Sequence, residues 1–214
     1  MEYALEAVKL GNLAIGLKTQ NHVILAVEKK SSKKLQEPRS FKKIGLIDNH
    51  VVSAFTGLGA DARILVNKAR IDAQSFRLTY DETPSINYLS RRVSALMQKY
   101  TQKGGARPFG FSIMLAGIDE DGKPNLNQID PSGMITCYRA NSIGNNSKHA
   151  NEILEKNYKM NMTLEEGLNV VAMCLHDSID HPKKNSEIVI VSREKIEFMK
   201  EEEISALFEE LDEE

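Results

Sequence analysis

The stretch Val23-Ile24-Leu25-Ala26-Val27 carries no polar side chain on either face. Successive side chains of a β-strand point to opposite sides, so this segment needs apolar cover above and below. A chain that contains it must bury a sheet between two other layers. The preceding segment begins at Asn12 and places Leu13, Ile15 and Leu17 in alternation. The polar turn Lys18-Thr19-Gln20-Asn21 separates the two. The spacing predicts a hairpin of Asn12 onward with His22 to Glu28, preceded by a short helix that ends at Gly11.

The pattern then alternates between strand pairs and helix pairs. Ile44 to Ile47 and Val51 to Phe55 form a second hairpin across Asp48-Asn49-His50. A helix is expected from Asp61 to about Leu78, with Ile64, Leu65, Ala69, Ala73 and Phe76 as its apolar positions. The next opens with Thr83 as cap and Pro84 at its first position. Its face is Ile86, Leu89, Val93, Leu96, Met97 and Tyr100, and Gly104-Gly105 ends it. Three strands follow: Phe109 to Ile118, about Asn125 to Ile129, and about Met134 to Ala140. Asp121-Gly122 and Pro131-Ser132-Gly133 are their turns. Two more helices come next, Ser147 to Tyr158 and one whose capping box is Thr163 with Glu166. A last hairpin joins Glu187–Ser192 to Ile196–Met199, and a final helix shows Ile204, Leu207, Phe208 and Leu211.

Paired helices between antiparallel hairpins do not suit a parallel βαβ sheet. Two stacked antiparallel sheets with helices outside both satisfy every apolar face. The expected class is therefore α+β, a four-layer αββα sandwich. Its 214 residues form one domain, with residues 1–11 as an N-terminal helix and 200–214 as an acidic helical tail.

Composition narrows the function classes. Apolar content of 41% and charged content of 27% are those of a globular protein. No apolar run approaches the roughly 20 residues of a membrane helix, and no basic-then-apolar leader is visible. Cys137 and Cys174 are the only cysteines and are expected as reduced thiols. Asn145-Asn146-Ser147 and Asn161-Met162-Thr163 match the glycosylation pattern and are read as chance matches. The net charge of −2 is unevenly spread: residues 197–214 hold nine acids and one lysine, and the remainder holds 21 acids against 27 basic residues, or +6. The plain reading is a solvated acidic helix on a mildly basic body; the sharper one is a basic surface for an acidic partner.

The blocks "EYALEAVKLG", "GLGADARILVNKARIDAQ", "YTQKGGARPFG" and "DPSG…IGNNS" resemble alpha-type subunits of the 20S proteasome, in the family's order, from Glu2 to about Leu211. "KLQEPR" and "SK…ILEKNY" are similar to the fourth alpha type. The resemblance implies the sandwich of N-terminal nucleophile hydrolases. It implies a non-catalytic wall subunit of a heptameric outer ring that controls substrate entry and docks activators in ubiquitin-dependent degradation. The implied partners are neighbouring alpha subunits, beta subunits and activator ATPases, without nucleic acid, membrane or cofactor, in cytoplasm and nucleus. Family members carry a further segment with the gating tail before the position of Glu2, so this chain is expected to be a truncated form.

Catalytic relatives of this fold attack with an N-terminal threonine whose free amine takes the proton. Asn12 holds the matching place, and its amide is no nucleophile; eleven residues precede it. Glu28 and Lys43 match the acid and lysine that such enzymes set beside the threonine, with nothing here to activate. In alpha rings the lysine matching Lys43 lines a pocket between subunits for the C-terminal tail of an activator ATPase. The resemblance extends that pocket to Gly11, Gly57 and Leu58. A lysine suits a terminal carboxylate, and glycines admit a peptide backbone. The plain reading of these residues is a surface lysine with turn glycines.

Other motifs are weaker. "EKKSSKKLQEPRSFKK" is basic but interrupted by acids, with Phe41 as its one aromatic, and reads as a solvated loop. His176 and His181, with Asp177 and Asp180, hint at a metal, but their spacing leaves one helical face and Pro182 breaks the helix. Gly104 to Gly110 is not a phosphate loop, because no Lys-Ser/Thr follows a strand. The alternative function is a self-processing amidase or peptidase of the same fold, and Asn12 argues against it. A nucleic-acid-binding domain disagrees with the net negative charge.

Overall fold

In a computed structural model, residues 2–29, 43–102 and 107–213 are described. Most of the basic run and the expected stop at Gly104-Gly105 lie outside them.

The chain opens with α1 (Glu2–Lys9) and the hairpin β1 (Ala14–Lys18) and β2 (Val23–Glu28). Then come β3 (Ile44–Asp48), β4 (Val51–Gly57), α2 (Gly59–Tyr80) and α3 (Ile86–Gln102). The middle holds β5 (Phe111–Ile118), β6 (Pro124–Ile129), β7 (Ile135–Cys137) and β8 (Ala140–Ile143). The rest is α4 (Ser147–Asn157), α5 (Leu164–Ser178), the short α6 (Pro182–Asn185), β9 (Ser186–Val191), β10 (Ile196–Phe198) and α7 (Glu201–Glu213). Two five-stranded antiparallel sheets result, in the orders β10-β9-β2-β1-β8 and β3-β4-β5-β6-β7.

The doubly apolar strands are explained by three packed layers of side chains. Ile24 and Ala26 join Leu13, Ile15 and Leu17 against α4, α5 and α7. Val23, Leu25 and Val27 turn the other way and meet Val52, Ala54, Met114 and Ala116 of the second sheet. Val51, Phe55, Phe111, Ile113 and Leu115 then pack on α2 and α3. This is the αββα sandwich that the alternation of apolar faces demands.

Several boundaries differ from expectation: β4 runs on to Gly57, α2 opens at Gly59 rather than Asp61, and β5 starts at Phe111 rather than Phe109. The run Met134 to Ala140 is two strands, not one. Tyr138 still donates its amide to the Leu126 carbonyl, whereas the Arg139 carbonyl accepts from Lys18. The chain therefore changes sheets between these two residues, without a glycine or proline to announce it. Helix α3 starts at Ile86 rather than Pro84, and Ser85, not Thr83, caps it through Oγ to the amide of Tyr88 at 3.1 Å. Helix α2 extends two residues beyond Leu78, and β1 begins two residues after Asn12. The capping box at α5 is formed as read, with Thr163 and Glu166 each accepting the other's amide. Both cysteines are free, Cys137 exposed and Cys174 buried; burial pushes the Cys174 thiol up to about 12.

Candidate functional site

Where β4 ends and α2 begins, three of the four candidate residues meet. Gly57 has φ +104° and pairs with Phe111 across the β4–β5 ladder. Its Cα faces the Gly110 carbonyl so closely that a Cβ would overlap that oxygen. The Leu58 amide donates to the same carbonyl at 2.9 Å. Gly11, at the end of α1, lies against the Gly57 amide and Thr56 Oγ1, again with no room for a Cβ. Helix α1 accordingly rests on β4 and β5. Leu58 leaves 47% of its surface exposed beside this contact. It is also the N-cap of α2 and has no side-chain oxygen to cap the first turn.

Lys43 is the fourth member and stands to one side. It precedes Ile44, whose ladder partner Ala54 precedes Phe55. Its Nζ lies 5.3 Å from the centre of the Phe55 ring. Burial pushes the ammonium below the ordinary lysine range, while the Glu28 carboxylate pulls it back up. So the structure joins Gly11, Gly57 and Leu58 directly and sets Lys43 against Phe55, two residues before Gly57 on β4.

A carboxylate that sequence reading passed over braces this corner. Asp61, buried in the first turn of α2, accepts from Arg107 Nη1 and Nη2 at 2.6 and 2.7 Å and from the Gly110 amide at 3.1 Å. The Arg107 hydrogen bonds hold its carboxyl below the usual carboxylate range against the opposing effect of burial. One side chain thus fixes α2, the Arg107–Gly110 segment and, through the Gly110 carbonyl, Leu58. Asp61→Asn should cost about 2 kcal/mol at neutral pH, below the range for a fully buried pair because Arg107 is largely exposed. A depressed carboxyl contributes stability above its unfolded pKa, about 3.9, and loses it as pH falls through its lower folded value. Urea unfolding of both proteins should therefore show a gap at pH 7 that closes below about pH 4; a gap independent of pH would contradict this role.

The strand-opening position holds no attacking group. Asn12 Nδ2 donates to the Glu28 carbonyl at 3.1 Å, and the Asn12 carbonyl accepts from Thr56 Oγ1 at 2.6 Å. Glu28 Oε2 receives the Leu13 amide at 3.3 Å. The Gly11 carbonyl just before it receives the Asn145 amide at 2.8 Å. The groups that would surround a nucleophile are tied into structural hydrogen bonds. Elsewhere, His176 pairs with the adjacent Asp177, and His181 lies beyond the end of α5 as the N-cap of α6. Among the described residues no cluster of His, Cys, Asp and Glu could hold a metal ion, and no helix is long and apolar enough to cross a membrane.

Phe55, Thr56, Asp61, Arg107 and Gly110 are the site residues that sequence reading missed. Asp61, Arg107 and Gly110 fall inside the blocks that carried the resemblance, but only the folded chain joins positions 61 and 107. Comparison with known proteins places the chain in a family. The family model for proteasome subunits matches residues 8–192. A proteasome subunit alpha type-7 of Dictyostelium discoideum is 42% identical over 208 residues, covering 97% of this chain and 83% of that protein. Alpha type-7-B of Arabidopsis thaliana is 45% identical over 210 residues, covering 97% and 84%. An alpha type-7-like subunit of Macaca fascicularis is 44% identical over 195 residues, covering 90% and 78%. Matched over nearly its whole length and built as the same sandwich, the chain belongs to the proteasome subunit family.

Proposed function

We propose that the chain is a non-catalytic alpha-type wall subunit of the 20S core, seated in the outer heptameric ring and, by the similarity of "SK…ILEKNY", in its fourth position. Its ring neighbours are other alpha subunits, and beta subunits stack beneath it. Its work is to form the wall, to help control entry and to offer one docking pocket to the ATPases of an activator in ubiquitin-dependent degradation, in cytoplasm and nucleus.

The observation that carries the pocket is the corner itself. Gly11, Gly57 and exposed Leu58 meet where α1 rests on β4, with the ammonium of Lys43 one aromatic ring away. A peptide backbone fits against glycines, and a lysine neutralises a terminal carboxylate through a charge-assisted bond. The uncapped first turn of α2 lies beside it and favours negative charge.

Lys43→Ala in an assembled particle tests this. Particle yield and peptidase activity without activator should be unchanged. Activator binding through this subunit should weaken by about tenfold or more, the value of one charge-assisted hydrogen bond. Unchanged binding and stimulation would remove the pocket assignment and leave the wall role standing.

A further inference from the structure

To receive a terminal carboxylate, the long and flexible Lys43 side chain must be kept in one place. A free lysine loses rotamer freedom when it is fixed on a ligand, and that loss weakens binding. Two features limit that freedom before any ligand arrives. The Nζ stands over the Phe55 ring at 5.3 Å, within the distance at which the negative face of an aromatic ring attracts a cation. Phe55 itself is held: it is buried on β4 between Ala54 and Thr56, in the core cluster with Val66, Ala69 and Phe111. Its ring edge reaches the first residue of α2, where a Cβ on Gly59 would touch Cε2 at 3.7 Å. Phe55 therefore lies between the ammonium and the start of α2, the residue that follows Gly57 and Leu58 in the chain.

We infer that Phe55 is the positioning residue for Lys43: its ring face holds the ammonium at the head of the pocket, where it receives the terminal carboxylate of a docking peptide. The inference rests on the pocket reading above. Chemistry favours a ring here over a second carboxylate. The ring attracts the cation without neutralising it, so the charge remains available to an incoming anion. Glu28 acts differently, since its carboxylate pulls Lys43 up against the larger lowering by burial and already accepts the Leu13 amide.

The test uses assembled particles containing this chain with its sister subunits. The probe is a synthetic peptide with a free C-terminal carboxylate and a photocrosslinker near that end. Labelling of this chain alone, resolved by mass, gives a half-saturating concentration. Phe55→Leu should raise it about three- to tenfold, the range of a partly desolvated cation–π contact. Phe55→Tyr, which keeps a ring face, should remain within about twofold. In a Lys43→Met background, Phe55→Leu should add nothing, because the two residues act as one unit. A C-terminally amidated peptide should be insensitive to either change.

Three results overturn the inference. One is unchanged labelling in Phe55→Leu while Lys43→Met weakens it. A second is equal weakening of the acid and amide peptides by Phe55→Leu, which would mark a packing defect. The third is additivity of the two substitutions. If Lys43→Met itself leaves labelling unchanged, the pocket reading fails first, and the outcome is distinct from the other three.

Discussion

Gly57→Ala should destabilise the chain by about 4 kcal/mol, whereas Gly59→Ala, two residues on, should be neutral or slightly stabilising. Two effects add at Gly57. Its φ of +104° lies where L side chains are rarely found, which carries about 1–3 kcal/mol of strain. Its Cβ would also run into the Gly110 carbonyl and lie 2.9 Å from Phe111 Cα. Both neighbours are backbone at the entry to the central strand, Gly110 just before β5 and Phe111 its first residue, and cannot swing away, so overpacking adds about 1–3 kcal/mol. Gly59 has an ordinary φ, its Cβ would meet only Phe55 Cε2 at 3.7 Å, and it opens a helix. For a chain of this size 4 kcal/mol corresponds to a fall of about 10 °C in Tm. Thermal unfolding by circular dichroism reads both variants, and incorporation into particles gives a second measure. A Gly57→Ala loss under about 1 kcal/mol would mean that β4 relaxes freely, contrary to its seven-residue pairing with β5.

The contrast also shows what a sequence makes visible. Leu13, Ile15 and Leu17 announce one buried face by period two, and Val23 to Val27 announce two buried faces. Those cues are local and lead to the four layers. Thr163 and Glu166 are three residues apart, so their capping box is equally local. The passage from β7 to β8 is not local. It depends on Lys18 reaching the Arg139 carbonyl across more than a hundred residues, and nothing between Met134 and Ala140 breaks the run. Ser85 and Pro84 compete for the start of α3, and the competition is settled by Asp119, whose Oδ1 takes the Ile86 amide at 2.9 Å. The site follows the same rule. Gly11, Gly57, Leu58 and Lys43 became candidates through resemblance. Their assembly depends on the Asp61–Arg107 fork and the Phe55 ring, which join positions distant in the chain.

Phe208→Ala should release α7 from the sandwich while leaving the pocket corner intact. Along α7 the acids Glu201, Glu202, Glu209 and Glu210 face solvent, and Ile204, Leu207 and Phe208 are buried. Phe208 is 0% exposed and packs in the cluster that includes Val171, Leu175 and Ile188. Truncating a buried phenylalanine costs about 3–5 kcal/mol. The acids add little cohesion of their own: the first-turn glutamates favour the helix start, and Glu203 accepts the Lys200 amide at 2.8 Å, each effect worth about 1 kcal/mol or less. Because α7 rests on α5 and α6 and its buried residues join the core against the first sheet, the loss should fall on its docking first. Hydrogen exchange of α7 amides should accelerate by about a hundredfold, as about 3 kcal/mol requires, with β4 and β5 amides unchanged. Glu202→Gln with Glu209→Gln should shift stability by less than about 0.5 kcal/mol, as for exposed charges. An unperturbed α7 in Phe208→Ala, or a large effect of the glutamine pair, would mean that its charge rather than its apolar stripe holds it. The acidic face is then the solvated side of a helix that the core clamps from beneath, which matches the plain reading of the charge run.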